Sequence, residues 1–336
     1  MSSDLAVIVC TNKGPEGVDT TLAALGRQSA RDRLEVVVVD DGSPDSLVDT
    51  CARHGVHLVC HEANRGLAAA RNTGIAATSA PLIAFTDDDC IPDPPWTEQL
   101  LQAFEDPRVI AAGGPVRPFR KDGYLERYYA ASNPLAPLEI ELSKSAAIPY
   151  RLWLYVKTNV APTQRSGARD VYSLVGANFS FRRCALEAVG GFDPGIRFGG
   201  EDEDVFFRLR RAVPQGRLRF EPAASMAHDY NPSLRDALRR ARAYGAGNAR
   251  NCAKHPEWRP TLYPAPVLLS LVTAAALWRS RVALLIPLLP LLMSPRWLVF
   301  AARHRSPLAC GYCYVQLLQE AASNIGFASA WPGVRR

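Results

Sequence analysis

Short apolar runs that end in polar or acidic residues constrain the fold of this chain more than any other feature. Leu5 to Cys10 (LAVIVC), Leu34 to Val39 (LEVVVV) and Pro81 to Phe85 (PLIAF) are almost continuously apolar. Runs of that length read as buried strands. Between them lie helical patterns over 18–28, 46–53 and 67–77, with a further short strand at 56–60. Strands alternating with helices predict an α/β fold, a mostly parallel sheet covered by helices on both faces. In a parallel sheet the strands end on one edge. The groups that follow them, Thr11-Asn12, Asp40-Asp41 and Asp87-Asp88-Asp89, therefore converge there.

Three consecutive carboxylates after a buried strand repel one another unless a cation sits among them. Hard divalent ions such as Mn²⁺ or Mg²⁺ take oxygen donors and bridge to substrate phosphates. Taken alone, the run fits either such a site or a solvated acidic turn. A second cluster, Glu201-Asp202-Glu203-Asp204, follows a glycine pair at a predicted helix start. The helix dipole accounts for one or two acids there. Four exceed what capping needs, and a carboxylate held near a leaving group can deprotonate an attacking hydroxyl.

Beyond residue 115 the periodicity weakens. Prolines and aromatics interleave over 115–171, which reads as a substrate-covering segment. Order returns over 174–181, with a strand over 218–220 and then a basic helix from 233 to about 251; Arg235, Arg239, Arg240, Arg242, Arg250 and Lys254 line the stretch before the apolar tail. That stripe suits anionic headgroups or a lipid-linked diphosphate, or is a solvated face. The last third is apolar over 262–278 and 282–302, separated by Arg279-Ser280-Arg281. Each stretch approaches the length of a bilayer crossing. Pro287, Pro290 and Pro295 would break or kink the second, and Arg259, Arg303 and Arg305 flank the pair. Trp278, Trp297 and Trp331 are placed at the lipid interface. The competing reading is a hydrophobic helical domain packed on the core or on a partner subunit.

With 336 residues and 48% hydrophobic content the chain can bury a full core. Its net charge of +6 is small and no nucleic-acid-binding module is present in the sequence, which disfavours nucleic acid as a partner. The eight scattered cysteines read as reduced, buried apolar residues, and the lone Cys310-x-x-Cys313 pair is weak grounds for zinc. No basic region precedes the first strand, so no signal peptide is expected. A nicotinamide-binding fold is disfavoured because no Gly-x-Gly-x-x-Gly follows the first strand.

Several segments together resemble family 2 glycosyltransferases. They are Val9 to Asn12, Val38 to Ser43, Asn64-Arg65-Gly66 with Ala70-Arg71-Asn72, Asp87 to Asp89, Gly176 to Phe179, Gly190 to Asp193 and Gly200 to Asp204. They occur in family order across roughly residues 5–250. The resemblance implies a GT-A fold and inverting transfer of a sugar from a nucleotide-diphosphate donor, with Mn²⁺ or Mg²⁺ as cofactor. It places Thr11 and Asp40 at the base, and Arg71, Asp87 and Asp88 around ribose and diphosphate. Asn12, Asp41 and Asn178 stand in the same motifs and join the substrate-binding set. Asp89, with Asp87 and His228, is implied for the metal. Asp202 is the implied base, and Glu201 its neighbour at the acceptor. The resulting expectation is a GT-A domain over 1–255, with 115–175 covering the acceptor, and a membrane-associated helical region over 256–336. The acceptor is expected to be lipid-linked or otherwise hydrophobic, met at the cytoplasmic face of the cell membrane. The rival readings are a soluble tailoring transferase whose apolar tail makes a homo-oligomer, and a catalytically silent scaffold that binds nucleotide sugar.

Overall fold

The computed structural model describes residues 3–133, 135–160, 165–197, 199–229, 233–258, 261, 263–278 and 286–334. The chain divides into two compact units: residues 1–141 with 166–230, and residues 142–165 with 231–336.

Among the described residues, the first unit is built on a nine-stranded sheet. Its strands are β1 (Leu5–Thr11), β2 (Leu34–Asp40), β3 (His57–Cys60), β4 (Leu82–Asp87), β6 (Val109–Gly113), β8 (Leu138–Glu139), β9 (Arg169–Ser173), β10 (Asn178–Arg182) and β11 (Arg217–Phe220). A smaller sheet contains β5 (Cys90–Pro92), β7 (Val116–Pro118) and β12 (Met226–His228). The helices of this unit are α1 (Pro15–Gly26), α2 (Val48–His54), α3 (Leu67–Ala76), α4 (Trp96–Ala103), α5 (Tyr124–Ser132), α7 (Arg183–Ala188) and α8 (Glu201–Ala212).

The large sheet runs β3-β2-β1-β4-β10-β6-β11-β9-β8. From β3 to β4 the pairing is parallel, in register Thr11 with Asp40 and Cys10 with Asp87. The expected run of parallel strands ends there. Strand β10 lies antiparallel between β4 and β6, and β9 pairs antiparallel with β11 and β8, so the sheet is mixed. Antiparallel β10 runs opposite to β4, so the residues just before it, Gly176 and Ala177, lie at the edge where β4 ends. Alternate residues of each strand serve two cores. Val7, Val9, Val36 and Val38 pack with Leu22, Leu25, Trp96 and Leu100 on one face. Ile8, Val37, Val39 and Phe85 pack with Phe179, Phe181, Phe192 and Phe206 on the other.

The second unit consists of α6 (Ile148–Val160), α9 (Leu234–Lys254), α10 (Pro264–Trp278), α11 (Leu289–Met293), α12 (Arg296–Arg303) and α13 (Tyr312–Val334). Helix α9 falls within this unit, where it packs along α13. A Cβ on Gly245 would lie 1.9 Å from the Ser323 carbonyl oxygen, and one on Gly326 would lie 2.0 Å from that of Arg242. Only glycine permits this backbone approach. Ser233 caps α9, its hydroxyl accepting from the Asp236 N–H at 3.2 Å.

Among the described residues no helix is long and apolar enough to cross a membrane. The second apolar stretch is divided into α11 and α12, with Pro295 capping the latter. The anticipated Arg279-Ser280-Arg281 turn and Arg259 lie outside the described residues, as does the Trp278 side chain. Trp297, expected at a lipid interface, is instead buried, its indole N–H donating to Gln316 Oε1 at 2.8 Å. All eight cysteines are free, although Cys60 and Cys184 are exposed rather than buried.

The substitution Gly245→Val forces α9 and α13 apart and is expected to destabilise the second unit by about 1–3 kcal/mol. Urea unfolding followed by tryptophan fluorescence measures this.

Candidate active site

Two acidic centres occupy the sheet edge where β1, β2 and β4 end. The first is set by the short sheet: β12 pairs with β5 in the register His228 with Cys90, which brings the imidazole over the residues that follow β4. His228 Nε2 lies 3.2 Å from Asp89 Oδ1 and 4.0 Å from Asp87 Oδ2. Donor atoms of Asp87, Asp89, Cys90 and His228 all fall within 4.8 Å of one another. Burial and the neighbouring Asp89 push the Asp87 carboxyl above its ordinary value, against the pull of Arg71. The side chain nevertheless keeps a third of its surface open.

Two carboxylates and an imidazole this close offer oxygen and nitrogen donors that suit Mn²⁺ or Mg²⁺. Cys90 is the soft donor of the four, less suited to a hard ion than the carboxylates, and burial raises its thiol pKa well above normal.

Asp88, the middle acid, faces the other way. It is buried and accepts from the Thr11 hydroxyl at 2.5 Å and from Lys13 Nζ at 3.0 Å. Lys13 Nζ also reaches Asp89 Oδ2 at 2.9 Å, so one ammonium spans both carboxylates. The two acids raise the Lys13 pKa further than its partial burial lowers it. Lys13 did not emerge from the sequence as a site residue. The signal was present: it stands two residues past the end of β1, beside the strand that ends in three acids. The turn is pinned from below by Thr21, whose hydroxyl donates to the carbonyls of Asp88 and Cys90.

The second centre starts α8, and its four acids have separate duties. Glu201 accepts from Arg71 Nη1 at 3.0 Å in a buried ion pair. Asp204 is fully buried and pairs with Arg208 at 2.8 Å. Asp202 is partly exposed, accepting from the N–H groups of Gly176 at 3.2 Å and of Glu203 at 2.9 Å. Its position among protein atoms and its neighbour Glu201 push its pKa up to about 6, although Arg71 and the two N–H donors oppose the rise. Burial, with Asp202 and Glu201 beside it, pushes Glu203 up to about 8.

Arg71 joins the two centres. Its guanidinium is buried under the site, 4.9 Å from the Phe179 ring centroid and 5.2 Å from that of Phe192, and donates to the Gly176 carbonyl at 3.2 Å. Its charge lowers the pKa values of both Asp87 and Asp202. From α3, Arg71 thus acts electrostatically on both centres.

Other residues expected at the substrate are engaged in holding the frame. Asn178 is fully buried, accepting from Trp96 Nε1 at 2.8 Å and donating to the Ala224 carbonyl at 2.9 Å. The Asp41 carboxylate accepts from the N–H groups of Arg65 and Gly66, both at 2.8 Å, and lies 2.7 Å from His61 Nδ1. Asp40 is buried and receives the Ser43 N–H at 2.8 Å, while Asn12 is exposed beside it on the edge. Asn72 exchanges two hydrogen bonds with the Phe192 backbone. The motifs thus include one set of side chains at the cleft and another that locks the loops beneath it.

A mixed α/β sheet with acidic centres on one edge defines a GT-A-like fold. The sequence pattern "Glycosyl transferase family 2" matches residues 6–190, and the chain belongs to that family. It is 31% identical over 258 residues to the pre-mycofactocin glycosyltransferase of Mycobacterium tuberculosis, covering 76% of this chain and 48% of that protein. It is 27% identical over 203 residues to the glucosyl-dolichyl phosphate glucuronosyltransferase of Haloferax volcanii, covering 56% of each. The chain spans about half the length of the curated relatives it matches. Among solved structures, its fold is similar to that of the mannosyltransferase PcManGT from Pyrobaculum calidifontis in complex with GDP-Man and Mn²⁺. The TM-score is 0.60 at 19% identity, over 96% of this chain and 88% of that one.

The raised pKa of Glu203 has a thermodynamic consequence. A carboxyl whose folded pKa is about 8 adds stability below its unfolded value near 4.5, and loses it as the pH rises through about 8. Glu203→Gln is expected to raise the melting temperature at alkaline pH and leave it unchanged in mild acid, as calorimetry across that range would record.

Proposed function

We propose that this protein is a metal-dependent, inverting glycosyltransferase that moves a sugar from a nucleotide-diphosphate donor to a hydroxyl of a lipid-linked or otherwise hydrophobic acceptor. The observation that carries this reading is the pairing of a metal-fitting cluster with a separate, partly exposed carboxylate of raised pKa on the same sheet edge. Asp87, Asp89 and His228 would hold the divalent ion. When bound, it supplies positive charge against the diphosphate and a fixed orientation for the donor.

Asp202 acts as the base. With a pKa near 6 it is ionised at neutral pH yet basic enough to accept a proton as the acceptor oxygen attacks. The new bond forms from that oxygen to the anomeric carbon while the bond from carbon to the diphosphate oxygen breaks on the opposite face. The proton ends on Asp202 and the electron pair on the departing nucleotide diphosphate. A single displacement of this kind inverts the anomeric centre and requires no protein nucleophile. The Arg71–Glu201 pair keeps Glu201 beside Asp202, where its charge helps to raise the base's pKa. Lys13 offers a second cation at the place where Asp88 and Asp89 meet the donor.

A membrane-held acceptor is supported by the apolar side chains that the second unit presents to its surroundings. Val267, Leu268 and Leu271 on α10, Leu292 on α11, and Leu298 and Val299 on α12 are all exposed. The similarity to a glucosyl-dolichyl phosphate transferase agrees with it. On this reading the protein works at the cytoplasmic face of the cell membrane. The soluble tailoring alternative draws on the likeness to the pre-mycofactocin enzyme, whose name carries no lipid. Partition between membrane and soluble fractions separates the two.

Asp202→Asn is expected to leave donor affinity nearly unchanged while lowering transfer by about 10²–10⁴-fold. In the wild-type enzyme kcat/KM should fall about tenfold per pH unit below pH 6 as Asp202 becomes protonated. Substantial turnover in the variant, or a flat acid limb, removes Asp202 as the base. Asp89→Ala should abolish the Mn²⁺-dependent stabilisation by nucleoside diphosphates in a thermal-shift assay. An undiminished shift there defeats the metal assignment.

A further inference from the structure

Helix α6 is amphipathic in the opposite sense to a helix that faces water. Two of its polar side chains point into the second unit. Asn159 is 3% exposed, and its Oδ1 accepts from Gln316 Nε2 at 2.8 Å. The Tyr155 hydroxyl donates to Glu320 Oε2 at 2.9 Å. Its apolar residues point away. Ile148, Leu152, Val156 and Val160, spaced four residues apart on one helical row, are 71%, 43%, 55% and 53% exposed. Trp153 beside them is 52% exposed, with Tyr150 stacked on its ring and Lys157 Nζ 5.2 Å from its centroid. A folded chain in water reverses this arrangement, because each exposed aliphatic side chain forgoes the gain from burial.

The charge along this segment bears on what covers the row. Residues 142–165 carry Lys144, Arg151, Lys157 and Arg165 and no acidic residue, a formal charge of +4. A second copy of this chain, packed about a twofold axis, would set the same cations against themselves. A negatively charged surface complements them. An apolar row with a tryptophan and cations at its border suits the boundary between headgroups and acyl chains. With 13 residues, α6 extends about 20 Å, too short to cross a bilayer core but suited to lying along it.

We propose that α6 seats the protein on an anionic phospholipid surface by burying Ile148, Leu152, Val156, Val160 and Trp153 among the headgroups. The inference rests on the proposed membrane-held acceptor for its purpose and names the surface on which that acceptor is met.

The test uses the full chain and extruded phosphatidylcholine vesicles with and without phosphatidylglycerol. Wild-type protein should co-sediment with the anionic vesicles and far less with the neutral ones. The double substitution Leu152→Gln and Val156→Gln should weaken that partition by about tenfold or more. Val267→Gln with Leu271→Gln on α10 should weaken it less. Quenching by bromolipids needs no disruptive variant: the difference between wild type and Trp153→Phe should show Trp153 fluorescence lost to the quencher. Equal partition of wild type and the α6 variant, or no quenching of Trp153, overturns the proposal. So does a concentration-dependent dimer in sedimentation velocity that disappears in the α6 variant, since the row is then a subunit contact. No sugar is present in these measurements, so vesicle binding stands or falls separately from transfer. Mn²⁺-dependent nucleotide binding retained by the α6 variant shows that the catalytic unit is intact.

Discussion

The buried ion pair between Arg71 and Glu201 is the interaction on which the geometry of the active site depends. A guanidinium enclosed by Phe85, Phe179 and Phe192 cannot be hydrated, so its charge must be met by a partner within the fold. Glu201 provides that partner from the first turn of α8, and the Gly176 carbonyl accepts a second bond from the loop before β10. Three segments far apart in the chain are thereby fixed around one cation. Asp202 follows Glu201 directly, so the contact that neutralises Arg71 also places the proposed base. Leaving either member without the other would strand a buried charge, commonly a loss of about 3–5 kcal/mol.

The acidic residues divide according to what surrounds them. Asp87, Asp89 and Asp202 stay partly exposed, and Asp87 and Asp202 carry raised pKa values. Asp41, Asp88 and Asp204 are buried and have their oxygens occupied by N–H, hydroxyl or cationic donors. The first group can respond to a ligand because its carboxylates are incompletely matched. The second holds the loops that position the first. A run such as Asp87-Asp88-Asp89 serves both purposes because alternate side chains at a strand end point in opposite directions.

Much of this was legible in the sequence. The apolar runs gave β1, β2 and β4 nearly to the residue, since strands buried on both faces have no alternative pattern. The convergence of Thr11, Asp40 and the aspartate run on one edge followed from parallel pairing. The reversal at β10 was not legible, because an apolar run carries no mark of its direction. Which member of the aspartate run turns inward was equally hidden: it depends on Thr11 and Lys13, more than seventy residues away in sequence. Asn178 and Asp41 stand in substrate-binding motifs, but the partners they have in the fold are set by packing that a motif does not reveal. Over 115–171 the sequence lacks a period since its helices answer to more than one environment. Helix α6 hides polar groups and exposes apolar ones, so a pattern reader that assumes water outside assigns its faces the wrong way round.

The second unit is assembled from pieces that leave the ribosome at widely separated times. Asn159 and its partner Gln316 are 157 residues apart. At roughly 5–20 residues per second, synthesis imposes a delay of about 8–30 s between them. Throughout that interval the inward side of α6 has polar groups without partners, and its outward side is greasy. The contacts of α6 with Gln316 and Glu320 therefore form only after α13 has been synthesised.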